Sequence, residues 1–335
     1  MMLRCFIVLP FLSLLLAAPT AQAWERGEVQ KFATLPSGFA NPEGLTIDQD
    51  GNVYVTTFAV SAAGTAGQLF EFDRQGHLVR QVGVSGSSNL LLGLAFHPQT
   101  GDLLVLDFGK SLVLKVDPAS GAATVFATVT GAAGLNGLTF DSAGNVYVSD
   151  SFQGIIWKTG PGGGAAVPWV NDVLLRTTGT PPFGANGIEF NNAEDALFVA
   201  NTGDDRIIRV PFNGGMAGTP EVFVNSINGA DGLFIDEHDN LWVAANQADE
   251  IVVVDKTGRV IAKLGDFEGI DRNGAPEGLL FPASPARFGD WVYVTNLSLD
   301  IRAFGLPQAV DSQWAAQITS HTVARLRARI PRTGE

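Results

Sequence analysis

The chain has a single cysteine, Cys5, and only four histidines among 335 residues. The lone cysteine lies inside the apolar N-terminal run, so a chain processed after Ala23 has no disulfide framework and no thiolate metal site. Scarce histidine leaves little room for zinc or copper chemistry. Basic residues are also in the minority, 21 against 34 acidic. That balance argues against nucleic acid or an anionic membrane surface, because both need a basic footprint. After residue 23 no apolar stretch is long enough to span a bilayer. Neither a Gly-x-Ser-x-Gly elbow nor a phosphate-binding loop is present; the Gly162–Gly164 run lacks the lysine and helix that such a loop requires.

Residues 1–23 read as a signal peptide. Arg4 gives a positive start, an apolar run follows, and Ala21-Gln22-Ala23 is a small-residue cleavage site. The expectation is an exported, soluble protein, periplasmic or extracellular, with its single folded domain over residues 24–335.

What is abundant is glycine, 39 residues, placed with a period. Every 44 to 50 residues a glycine opens an apolar strand: Glu43-Gly44-Leu45, Leu92-Gly93-Leu94, Asn136-Gly137-Leu138, Asn186-Gly187-Ile188, Asp231-Gly232-Leu233 and Glu277-Gly278-Leu279. A second short strand follows each, such as Asn145 to Val148 or Leu241 to Val243, and then a third and a fourth around Gly-containing turns. About 52 residues per repeat suits one four-stranded sheet. The pattern predicts an all-β, six-bladed β-propeller. Residues 28–32 read as a fourth strand with no predecessors, and 323–330 as a third strand followed by a turn over 331–334. Pairing them completes the last blade and closes the ring. A helix over 323–330 is the rival reading, because Val323, Leu326 and Ile330 also fit a 3.6-residue period.

The residue before each glycine begins a strand next to the propeller axis, so these side chains converge. Glu43, Asn136, Asn186 and Asp231 then offer two carboxylates and two amide oxygens, a hard-oxygen set suited to Ca²⁺ or another divalent cation. The competing reading is turn chemistry, since Asn-Gly and Asp-Gly are common turn dipeptides. Leu92 in the equivalent place and the two Pro-Glu-Gly motifs argue for the cation. Glu277 would add a third carboxylate or stand behind the first group. Strand-end Asp107, Asp150, Asn201, Asn246 and Asn296 face the same side as caps, with Asp150 and Asn246 the candidates for a supporting role. Loops 58–67, 171–185 and 297–320 are expected to wall the pocket, with Phe183 and Trp314 as candidate lining residues.

These motifs resemble those of the calcium-dependent six-bladed propeller hydrolases, the superfamily of gluconolactonase- and regucalcin-like lactonases, diisopropyl fluorophosphatase and paraoxonases. The segment Leu197 to Ile207 also looks like an NHL repeat. The resemblance implies that Glu43, Asn186 and Asp231 hold the metal and that Asn136 is a ligand or a substrate contact. It further implies Asp231 as base or nucleophile in hydrolysis of a small-molecule lactone or ester. A phosphotriesterase and a non-enzymatic NHL-type binding propeller are the alternatives. Oligomeric state is not encoded in any feature of the chain.

Overall fold

The structure is a computed structural model and describes residues 25–306 and 312–331. The signal-peptide reading of residues 1–23 and most of the expected 331–334 turn lie outside the described residues. The described chain is all-β, built of several antiparallel sheets in a propeller-like arrangement. Helix is confined to single turns at Val173–Leu175, Ile301–Phe304 and Ser312–Ala315. No helix among the described residues is long and apolar enough to cross a membrane.

Each sheet starts from an inner strand. These are Pro42–Ile47, Leu91–Phe96, Leu135–Phe140, Ala185–Phe190, Ala230–Ile235 and Pro282–Phe288. Each inner strand packs beside the next, and the last returns to the first. Second strands such as Val146–Asp150 and Leu241–Ala245 are buried along their whole length. They lie between two sheets, which is why they read as unbroken apolar runs rather than as alternating ones. Alternate side chains serve opposite neighbours: Val146 and Val148 join Leu104 and Leu135 on one side, while Tyr147 joins Leu197 and Val199 on the other. Trp242 and Val243 divide in the same way.

The termini meet as expected. Val29–Thr34 pairs antiparallel with Thr322–Arg327, giving a four-stranded sheet built from both ends of the chain. Residues 322–327 form a strand, so the helical reading is excluded. The strand wins because Val323, Ala324 and Leu326 fill the seams on either side, against Phe70 and against Trp242.

One boundary differs from expectation. Pro276–Gly278 is not an inner strand: it forms a small hairpin with Phe267–Ile270, and Gly278 has φ +79. The last inner strand is Pro282–Phe288, without the Glu-Gly motif. Its register, Pro282 opposite Asn296 and Pro285 opposite Val294, places Ala283 where the other repeats have their pre-glycine residue.

That register carries a local device. Pro42 pairs with Thr57 and Leu45 with Val55, so Glu43 and Gly44 together oppose the single residue Thr56. The same slip occurs at the equivalent place in every inner strand, including the last, where Ala283 and Ser284 stand in for the motif. Such bulges bend a strand and re-aim its side chains. Here they turn the pre-glycine residue toward the axis. The glycine lets adjacent inner strands touch: a Cβ at Gly187 would sit 2.6 Å from the Asp231 carbonyl oxygen. Hydroxyls of the opposing residues then tie neighbours together, Thr295 Oγ1 donating to the Glu43 carbonyl at 2.7 Å and Thr56 Oγ1 to that of Leu92 at 2.6 Å. Gly187→Ala is therefore expected to destabilise the fold by about 1–3 kcal/mol, the usual cost of overpacking. Urea unfolding checks this, and an unchanged midpoint contradicts it.

Candidate functional site

Four of the bulged residues open into one small cavity of about 40 Å³ at the axis. Glu43, Asn136, Asn186 and Asp231 all line it, at 4–5 % exposure. The remaining two axial places hold Leu92 and Ala283, which flank Glu43 on either side with apolar groups. The structure brings these four residues together at one cavity.

A second tier of residues holds the first. It consists of the residue just beyond three of the second strands: Ser151 and Thr202, each one position after a strand-end residue named from the sequence, and Asn246, itself so named. Ser151 Oγ accepts from Asn136 Nδ2 at 3.2 Å and donates to the Ala185 carbonyl at 2.7 Å. Thr202 Oγ1 accepts from Asn186 Nδ2 at 2.9 Å and donates to the Ala230 carbonyl at 2.7 Å. Asn246 Nδ2 donates to Asp231 Oδ2 at 2.9 Å. Each amide nitrogen is drawn onto a hydroxyl, so the Oδ1 atoms of Asn136 and Asn186 are the acceptors left for the cavity. Ser151 and Thr202 escaped the sequence reading, because a lone hydroxyl after a strand carries no signal until the register is known.

The strand-end residues behave as caps. Asp150 accepts from the backbone N–H groups of Gly134, Phe152 and Gln153 and from Trp157 Nε1 at 3.1 Å. Its carboxylate is committed to the turn and is not a cavity group. Asn246, grouped with it in sequence, belongs to the second tier and lines the cavity. Glu277 is exposed on the separate hairpin, beside Lys31 and Asp271. It neither adds a carboxylate to the cavity nor stands behind one, because the Pro-Glu-Gly tripeptide serves a hairpin there. Trp314 packs on Phe267, away from the cavity, whereas Phe183 lines it.

The electrostatics are unusual. Among the described residues, no lysine, arginine or histidine lines the cavity. His77 and His238 are exposed, His97 is buried with Nε2 on the Gly144 carbonyl at 3.0 Å, and His321 stands behind Asn41. Burial, with Asp231 repulsion added, holds the Glu43 carboxyl well above the carboxylate range. Burial pushes Asp231 up to about 7, against hydrogen bonds from Asn246 and Asn186 that pull it down. Glu43 Oε2 and Asn246 Oδ1 are buried and find no hydrogen-bond partner. Orphaned oxygens beside two buried carboxylates mark a place for a cation. The donor set, carboxylate and amide oxygen throughout, fits a hard divalent ion such as Ca²⁺. By contrast, the grouping of Asp236, Glu237 and His238 is a surface turn, with Asp236 accepting from the His238 and Asn240 N–H groups and from Trp242 Nε1.

The sequence matches the SMP-30/Gluconolactonase/LRE-like region over residues 84–265, more than half of the chain. The chain belongs to this family. Among curated proteins, none matches the chain in sequence. Its fold is similar to that of a luciferin-regenerating enzyme, at TM-score 0.62 and 17 % identity, covering 90 % of this chain and 95 % of that one. It is similar also to regucalcin from Agrobacterium tumefaciens, titled a calcium-binding protein, at TM-score 0.61 and 17 % identity over 88 % and 93 % of the two chains. A streptogramin B lyase shares the fold at TM-score 0.57 and 17 % identity, over 82 % and 83 %.

A carboxyl with a higher pKa folded than unfolded binds its proton more tightly in the native state. The stabilisation from Asp231 is thus complete below its ordinary value of 3.8 and is lost as pH rises to about 7. The metal-free protein is expected to lose thermal stability from pH 4 to 7. Ca²⁺ at about a hundred times its Kd adds about 2.7 kcal/mol, or several degrees of Tm. That gain should be large at pH 8 and small at pH 5. A Ca²⁺ shift independent of pH, or absent at both, contradicts the site.

Proposed function

We propose that this protein is an exported six-bladed propeller hydrolase that opens a lactone or related ester with a divalent cation, Ca²⁺ first, at its axis. The observation that carries the reading is the convergence of Glu43, Asn136, Asn186 and Asp231 on one cavity that has two orphaned oxygens and no basic side chain among its described lining residues. Membership of the gluconolactonase-containing family supports it. Export rests on the sequence of residues 1–23 alone.

Glu43, Asn186 and Asp231 would hold the cation, with Asn136 and Asn246 completing its surroundings or meeting the substrate. When bound, the cation supplies Lewis-acid polarisation of the substrate carbonyl and offsets charge on the developing oxyanion. Asp231 then acts as general base. Its carboxylate is made more basic by burial, and Asn246 Nδ2 fixes its orientation. The carboxylate takes one proton as the water oxygen adds to the carbonyl carbon. It returns that proton to the ring oxygen as the acyl C–O bond breaks, leaving a hydroxy acid that ionises into solvent. Leu92 and Ala283 keep the rest of the axial ring apolar, which limits competing water.

A panel of γ-lactones, assayed with Ca²⁺ and after EDTA treatment, tests the reading. EDTA is expected to abolish turnover and Ca²⁺ to restore it. Asp231→Asn is expected to lower kcat by about 10²–10⁴-fold, the range for a lost general base, while Ca²⁺ binding persists. Undiminished turnover in either case overturns the proposal.

A further inference from the structure

The cavity wall outside its oxygen cluster is made almost wholly of hydrocarbon. Phe58, Phe281, Leu297, Leu299 and Ile301 close one side, each at most 4 % exposed, and Pro181 and Phe183 close another. Four loops far apart in sequence supply these residues. The pocket floor has room for little beyond a reacting carbonyl. Anything larger must lie along the wall toward solvent.

That wall continues as a row of aromatic rings. Phe58 meets Phe108 edge-on at 5.5 Å, Phe108 meets Phe152 edge-on at 5.3 Å, and Phe152 stacks on Phe183 at 5.9 Å and 22°. The row runs from the buried Phe58 to Phe152, which is 50 % exposed. An exposed ring coupled edge-to-face to a buried cavity wall is a surface an apolar ligand can cover.

The polar inventory excludes other classes. A polyhydroxylated lactone needs hydrogen-bonding groups for its hydroxyls. Apart from the four axial residues, the polar side chains among the described wall residues are Thr202, already bonded to Asn186 and to the Ala230 carbonyl, and Asn246, whose Nδ2 is held by Asp231 at the floor of the cavity. A free carboxylate or phosphate away from the reacting carbonyl needs a cationic partner besides the axial cation, and the described wall residues include no basic side chain.

We infer that the substrate is a neutral lactone or ester carrying an alkyl or aryl substituent, and that Phe183 and Phe152 select it by covering that substituent. This rests on the hydrolase reading above. The substituent lies on Phe183 and extends past Phe152 while the carbonyl sits at the oxygen cluster. Each covered methylene is expected to raise kcat/KM by about fourfold until the row ends.

The test measures kcat/KM of the Ca²⁺-loaded protein for γ-butyrolactone, γ-decanolactone and δ-gluconolactone. The expected order puts γ-decanolactone at least tenfold above γ-butyrolactone, with δ-gluconolactone lowest. Phe183→Ala and Phe152→Ala should each cut the decanolactone-to-butyrolactone ratio at least fivefold, mainly through KM. Because Phe152 is half exposed, its variant also guards against misfolding as the cause. Gluconolactone turnover equal to or above that of decanolactone, or an unchanged ratio in both variants, overturns the inference. If no lactone is turned over, the hydrolase reading fails and the wall is judged by calorimetry with two lactams. Tighter binding of 5-hexylpyrrolidin-2-one than of gluconolactam, weakened by Phe152→Ala, sustains the apolar class; equal or no binding overturns it.

Discussion

Two carboxylates, Glu43 and Asp231, are buried in one cavity whose described wall residues include no basic side chain. Burying a charge without a partner is costly enough that a group changes its protonation instead, as both pKa directions reflect. Proteins keep such an arrangement where something else supplies the opposite charge. The rest of the structure serves this one constraint. Bulges aim the side chains inward, glycines let the strands that carry them touch, and hydroxyls lock the carbonyls behind them.

The same economy explains the acidity of the chain. Most of its acidic excess has no part in the cavity. Asp48, Asp141 and Asp236 each accept backbone N–H groups four residues on and a ring O–H or N–H from the following strand. They hold the inner hairpins at the end away from the cavity, and His97 takes the same slot with its Nδ1 accepting from Gln99 and Thr100. Net charge therefore said little about the site. Position before the glycine said much more.

How far the sequence reached follows from what repeats. Inner and second strands recur with fixed spacing, and the pairing of 29–34 with 322–327 completes the one repeat left short, so their placement was readable. Glu277 misled because a Pro-Glu-Gly tripeptide matched the motif while the register did not; the true inner strand begins at Pro282 and brings Ala283 to the axis. Of the two strand-end residues singled out for a supporting role, Asn246 touches Asp231 while Asp150 caps a turn, a difference of one residue in register that the sequence does not show. The aromatic row lies on loops of unequal length, where no period exists to find it. Sheet geometry was thus legible, and the chemistry of the pocket wall was not.

The fold and the oxygen cluster are separable: sheets packed this way need no ion, but Glu43 and Asp231 side by side do. Calorimetric titration of EDTA-treated protein with Ca²⁺ near pH 7, repeated in buffers of different ionisation enthalpy, tests that dependence most directly. The account predicts one ion per chain, proton release on binding, and loss of binding in Glu43→Gln. No heat at millimolar Ca²⁺, or binding that survives Glu43→Gln unchanged, would contradict it.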